Sequence, residues 1–126
     1  MGLRRLAAHE GIRLPSKYMG HLFEQFIGLE LIKLTRFQRE RTRVMYWSDF
    51  NGPEVDWVIE RPNQLIPIEV KYTDRPHKEH IKHLNLFLEE YETADLGYVV
   101  CQVPKKIKMA DKIYALPWQE LPLIFS

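Results

Sequence analysis

Sulfur chemistry is nearly absent from this chain, since Cys101 is the one cysteine in 126 residues. No internal disulfide can form. Its place in the apolar run Tyr98-Val99-Val100-Cys101 predicts a small buried hydrophobe in a reducing, cytoplasmic setting. Long hydrophobic runs are missing too: nothing approaches the roughly 20 residues that span a bilayer, so no membrane insertion is expected. Leu3-Arg4-Arg5-Leu6-Ala7-Ala8 is too short for a secretory apolar segment. Met1-Gly2 fails as an N-myristoylation start because Leu6 stands where Ser or Thr is required. An excess of one charge is also absent. The 18 Lys and Arg against 17 Asp and Glu leave a net charge of +1. That excludes a uniformly basic nucleic-acid binder and leaves any attraction for phosphate to local patches. There is no internal repeat and no low-complexity segment.

What is present suits one folded domain. The apolar fraction of 45% and charged fraction of 28% are ordinary, and a chain of this length buries roughly two thirds of its unfolded surface. Residues 1–15 read as an N-terminal helix or linker remnant ending at Pro15, and residues 16–126 as the domain. Ser16 is placed to cap a helix. Behind it Leu22, Phe23, Phe26, Ile27, Leu31 and Leu34 recur at helical spacing and form one broad apolar face. Lys33 to Arg43 then carries five positive charges against one negative and leads into a strand.

Residues 44–72 read as three strands joined by two tight reversals, the first at Asn51-Gly52-Pro53 and the second at Arg61-Pro62-Asn63-Gln64. An antiparallel meander is predicted. Asp74 with Pro76 resembles a helix start, and Ile81, Leu84, Phe87, Leu88 and Tyr91 supply an apolar stripe over a second helix. Residues 97–101 follow as a buried strand. A strand, crossover helix and strand imply a right-handed connection, which pairs 97–101 in parallel with 65–72. Residues 112–116 add an edge strand, and the tail 117–126 packs over the core. The expected architecture is α/β: three α/β/α layers around a mixed sheet, with an α-β-β-β-α-β core.

Along 65–72 the alternation of side chains puts Ile66, Ile68, Val70 and Tyr72 on one face and Glu69 and Lys71 on the other. If the hairpin closes on Pro62-Asn63, Arg61 pairs with Gln64, and counting outward sets Asp56 opposite Glu69, with Cβ atoms roughly 4.5–5.5 Å apart. Two carboxylates that close resist ionising together unless a cation lies between them. Mg²⁺, or Mn²⁺, suits such a pair, because it keeps part of its water shell and takes other ligands from a phosphate. Phosphodiester hydrolysis is the candidate chemistry. Glu24 lies between Gly20 and Gly28, one turn to either side on the first helix. Each glycine costs a helix interior roughly 1 kcal/mol relative to alanine, which a close approach by sheet, metal shell or nucleic-acid backbone would explain.

Glu54-Val55-Asp56 followed by Pro67-Ile68-Glu69-Val70-Lys71, after a helix carrying Gly20-His21-Leu22-Phe23-Glu24, resembles the PD-(D/E)XK (restriction-endonuclease-like) nuclease superfamily. More narrowly it is similar to the nuclease-like domain that follows an AAA-type ATPase module in many prokaryotic proteins. The resemblance covers residues 18 to about 116. It implies that Glu24, Asp56 and Glu69 bind Mg²⁺ or Mn²⁺, and that Lys71 orients or activates the attacking water and steadies the developing phosphorane charge. It further implies DNA as substrate and an ATPase domain or subunit as partner. Two features depart from the pattern: Glu54-Val55-Asp56 replaces the usual Pro-Asp, and the second helix lacks the Gln-x-x-x-Tyr of RecB-like members. A catalytically inactive module of the same fold, binding nucleic acid or regulating an ATPase, is the rival expectation.

The remaining polar clusters are less specific. Arg36, Arg39, Arg41, Arg43, Lys78 and Lys82 are candidate nucleic-acid contacts, and a solvated surface is the alternative for each. His77, His80 and His83 recur at intervals of three, which drifts around a helix, and so read as a solvated, weakly basic face rather than a transition-metal site. Trp47 and Trp57 read as core residues rather than base-stacking platforms.

Overall fold

The computed structural model describes residues 16–48 and 52–126. The N-terminal segment 1–15, the side chain of Ser16 and residues 49–51, among them Asn51 of the first reversal, lie outside the described residues. The elements are α1 (Ser16–Thr35), β1 (Arg43–Ser48), β2 (Glu54–Arg61), β3 (Gln64–Val70), α2 (Lys82–Glu90), β4 (Gly97–Cys101), β5 (Ile107–Ala110) and β6 (Ile113–Pro117). A short 3-10 helix, Lys78–Ile81, runs into α2, and another, Trp118–Phe125, follows β6. The six strands form one mixed sheet in the order β1-β2-β3-β4-β6-β5.

The meander forms as the turn chemistry requires. β2 and β3 pair antiparallel from Arg61↔Gln64 to Trp57↔Ile68. Asn63 sits at φ 58°, the left-handed conformation that follows a proline in such a turn and that asparagine tolerates. β4 lies parallel to β3 with Glu69 beside Val99, as the crossover predicts.

Apolar side chains fill both faces of the sheet. On one face Phe23, Ile27 and Leu31 of α1 pack against Ile59, Ile66, Ile68 and Val100, with Leu121, Ile124 and Phe125 of the C-terminal 3-10 helix closing the layer. On the other, Ile81, Leu84 and Phe87 meet Val58, Val99, Cys101 and Ile113. Cys101 is fully buried, as its apolar neighbours imply. Trp47 and Trp57 both serve the core. Trp47 packs edge-on against Phe87, with centroids 5.2 Å apart, and its indole N–H donates to the Tyr91 hydroxyl at 3.1 Å. Trp57 packs with the α1 layer.

Three expectations are corrected. The strand near 112–116 is interior, because β5, over Ile107–Ala110, pairs outside β6 and takes the edge. The second helix starts at Lys78 rather than at Asp74–Pro76: the His77 N–H is satisfied by His80 Nδ1 at 3.1 Å, and the Arg75 N–H by the Thr73 hydroxyl at 3.1 Å. Strict alternation also fails in β2. Met45 pairs with Val58 but Trp47 with Val55, so Asp56 and Trp57 together oppose Tyr46 in a β-bulge. Val55 thereby joins the α2 layer while Trp57 and Ile59 stay with α1.

The two glycines of α1 part company. A Cβ on Gly28 would stand 2.9 Å from Trp57 Cε2, whereas one on Gly20 meets nothing within 4 Å. The indole face explains Gly28; no close approach explains Gly20. Gly20→Ala should therefore stabilise the fold by up to about 1 kcal/mol through helix propensity. Gly28→Ala should destabilise it by roughly 1–3 kcal/mol, because the rigid ring has to move. Urea unfolding of the two variants checks the opposite signs.

Candidate functional site

The bulge turns the Asp56 carboxylate toward β3. Where the β2–β3 ladder ends at Trp57 and Ile68, side chains continue the bonding: the Val70 N–H donates to Asp56 Oδ2 at 2.8 Å, and the Asp56 N–H donates to Glu69 Oε1 at 3.1 Å. Each acid thus satisfies an amide on the other's strand. The second oxygen of each carboxylate is left to other partners. Lys71 follows directly after β3, with its N–H donating to the Val100 carbonyl at 3.0 Å and its ammonium 3.9 Å from Glu69 Oε2.

Burial makes these acids weak. Glu69 is the one buried charged residue among those described, 6% exposed. Removal from water, then the neighbouring Asp56, pushes its carboxyl up to about 8. Burial pushes Asp56 up to about 6 against the opposing bond from Val70, with Glu24 and Glu54 adding repulsion. Lys71 lowers both without offsetting the rise.

Glu24 is half-buried on α1. The adjacent Phe23 packs its ring 5.5 Å from that of Tyr72, which docks this part of α1 beside the end of β3. Its charge is felt by both acids. Yet among the described residues no three His, Cys, Asp or Glu side chains are drawn together as a ready metal-binding group. The structure therefore assembles Asp56, Glu69 and Lys71 closely and leaves Glu24 near them. As a donor set, two carboxylates with hard oxygens fit Mg²⁺ or Mn²⁺, which complete their shells with water and substrate.

His80 and Glu54 belong to the surroundings of this site and were missed in the sequence. Burial and the nearby Lys71 hold the His80 imidazole below its usual range. His83 Nδ1 stands 2.9 Å from the Glu54 carbonyl and fastens α2 to the start of β2. A histidine spacing of three gave no signal of this, because the segment changes from 3-10 to α-helix between His80 and His83.

The basic residues scatter. Arg36, Arg39, Arg41, Lys78 and Lys82 are exposed. Arg43 is exposed but ion-paired, its Nε donating to Glu60 Oε1 at 2.7 Å. Among the described residues no helix is long and apolar enough to cross a membrane.

Three comparisons bear on this arrangement. Residues 19–121 match the family described as Domain of unknown function (DUF4143). No curated protein matches. A chain in the refined half-complex of a tetradecameric assembly of Thermococcus gammatolerans McrB AAA+ hexamers with bound McrC shares the fold. Its TM-score is 0.56 at 17% identity, over 77% of this chain and 27% of that chain. The present chain thus spans well under half of its structural neighbour.

A proton-linked signature follows. The folded state favours the protonated form of both acids, so their stabilising contribution is full below pH 3.8–4.5 and is lost as pH rises through about 6 for Asp56 and about 8 for Glu69. In EDTA, wild type should fall behind Glu69→Gln between pH 5 and pH 8, at about 4 °C of melting temperature per kcal/mol. A difference between the two proteins that stays constant with pH would contradict the burial of a titrating Glu69.

Proposed function

The chain belongs to the DUF4143 family, and on that premise we propose that it is a PD-(D/E)XK (restriction-endonuclease-like) domain that hydrolyses DNA phosphodiesters with Mg²⁺ or Mn²⁺. One observation carries the reading: Asp56 and Glu69 are braced across a bulge by each other's strand, with Lys71 at 3.9 Å from Glu69. The carboxylates cap the open end of the hairpin, but capping does not account for burying two acids side by side with a lysine next to them. Their raised proton affinities leave the pair short of positive charge.

Asp56 and Glu69 would hold the ion, with Glu24 reaching it from α1. A bound divalent ion supplies a more acidic water and neutralises phosphate charge. The chain's own residues supply the rest. The braced carboxylates keep their positions without reorganising. Lys71 donates a hydrogen bond to the attacking water or to a non-bridging phosphate oxygen. As the water oxygen bonds to phosphorus, the bond to the departing sugar oxygen breaks, one water proton passes to solvent, and the sugar oxygen takes up a proton from solvent to leave as the alcohol. Arg36, Arg39, Arg41, Lys78 and Lys82 are exposed and suited to contact phosphates of the same DNA.

A partner is part of the proposal. The structural neighbour comes from an assembly of AAA+ hexamers, and that supports an ATPase domain or subunit acting with this one. The rival reading, an inactive module that binds nucleic acid or regulates the ATPase, is favoured by one observation: Glu24 does not complete a three-ligand group.

Supercoiled plasmid and single-stranded DNA, incubated with Mg²⁺, Mn²⁺ or EDTA, separate the two. Cleavage should require the divalent ion and fall by roughly 10²–10³ in Lys71→Ala, the usual effect of removing one electrostatic group from a hydrolytic site. Equal cleavage by the variant would overturn the catalytic reading. Absence of cleavage with DNA binding retained would establish the rival.

A further inference from the structure

Five residue pairs from the acids, roughly 17 Å along the strands, the β2–β3 hairpin ends in a second polar site. There a cleft of about 440 Å³ opens between the Pro62-Asn63 turn and Thr93, walled by Arg41, Arg43, Glu60 and Arg61. The hydrogen bond from the Leu65 N–H to the Thr93 carbonyl, 3.1 Å, fixes its back wall. Three arginines less one glutamate give the lining a formal charge of +2.

The arginines are not equivalent. Arg43 is taken by Glu60. Arg61 has its Nε buried with no hydrogen-bond partner in the protein. Buried donors of this kind are nearly always paired, and a guanidinium cannot shed its charge to escape the cost. The Arg61 side chain lines the cleft, and a small rotation would offer this donor to an acceptor from outside the chain. Since Arg43 and Glu60 cancel, Arg41 and Arg61 are left to define the ligand's charge. A phosphate group, at about −1.5 to −2, matches the pair, while a single carboxylate would leave one charge unbalanced. The cleft falls within the ordinary range for small-ligand pockets, about 300–1,000 Å³, and exceeds what one phosphate fills.

We propose that this cleft is a binding site for a phosphate carried on a nucleotide or nucleic-acid backbone, held by Arg61 and Arg41, separate from the acid pair and independent of whether that pair cleaves DNA. Thr93 and Asn63 border the space left for the rest of the ligand.

The test is done in EDTA, so that no ion bridges a phosphate to Asp56 and Glu69. Pyrophosphate, ATP and a ten-nucleotide oligothymidylate are titrated into the ¹⁵N-labelled chain, and affinities are measured by calorimetry. All three should move the amides of Arg61, Asn63 and Thr93 and leave those of Asp56 and Glu69 in place. Arg61→Met, which keeps an apolar stem, should weaken pyrophosphate roughly tenfold or more, and Arg61→Lys should also weaken it because the fork is lost. An oligonucleotide that binds more tightly than ATP, with a steep salt dependence, identifies a backbone site; ATP at least as tight identifies a nucleotide site. Amide shifts confined to the acid end, no shifts at all in wild type, or unchanged affinity in both folded variants would overturn the assignment.

Discussion

Beyond Trp57 and Ile68 the backbones of β2 and β3 no longer bond to each other, and two carboxylates take over: Asp56 accepts from the Val70 amide and Glu69 from the Asp56 amide. Much else in this molecule depends on that exchange. It lets two acids remain at the inner end of a hairpin without leaving their amides unsatisfied, which burial would make costly. The same burial sets the acids against each other, so that Glu69 is pushed to about 8 and Asp56 to about 6. A site made this way is rigid and short of a cation.

The fold supports the exchange from both sides of the sheet. The bulge that frees Asp56 from strict alternation turns Val55 to the α2 layer and leaves Trp57 in the α1 layer, where its indole lies against Gly28. That contact, with Phe23 on Tyr72, fixes α1 relative to β3 and brings Glu24 near the acids. On the other face His83 ties α2 to Glu54, and the parallel neighbour β4 anchors the Lys71 amide. Core packing and site geometry are here one set of contacts.

Much of this was legible in the sequence because the informative signals were local. Pro62-Asn63 defined the hairpin, the hairpin defined the register, and the register set Asp56 against Glu69. The bulge left no trace, since neither glycine nor proline marks Asp56-Trp57 and Val55 looks the same on either face. β5 was hidden for a different reason: Ile107-Lys108-Met109-Ala110 is only four residues long and exposed at its start, too short for its alternation to stand out. The 3-10 start of the second helix depends on a bond between His77 and His80 that propensity does not encode. The position of Glu24 arises from tertiary docking, and its glycine flanks, which suggested it, had different causes.

The hairpin therefore carries opposite charge at its two ends, acids where it splays and arginines where it turns. The claim on which the account rests is that Asp56 and Glu69 form a buried pair awaiting a divalent cation. Titration of the ¹³C-labelled Glu69 carboxyl by NMR, in EDTA and again in Mg²⁺, addresses it most directly. The expected midpoint lies near pH 8 without metal and falls by a large amount when Mg²⁺ binds. A midpoint in the ordinary glutamate range, or one that Mg²⁺ leaves unmoved, would contradict it.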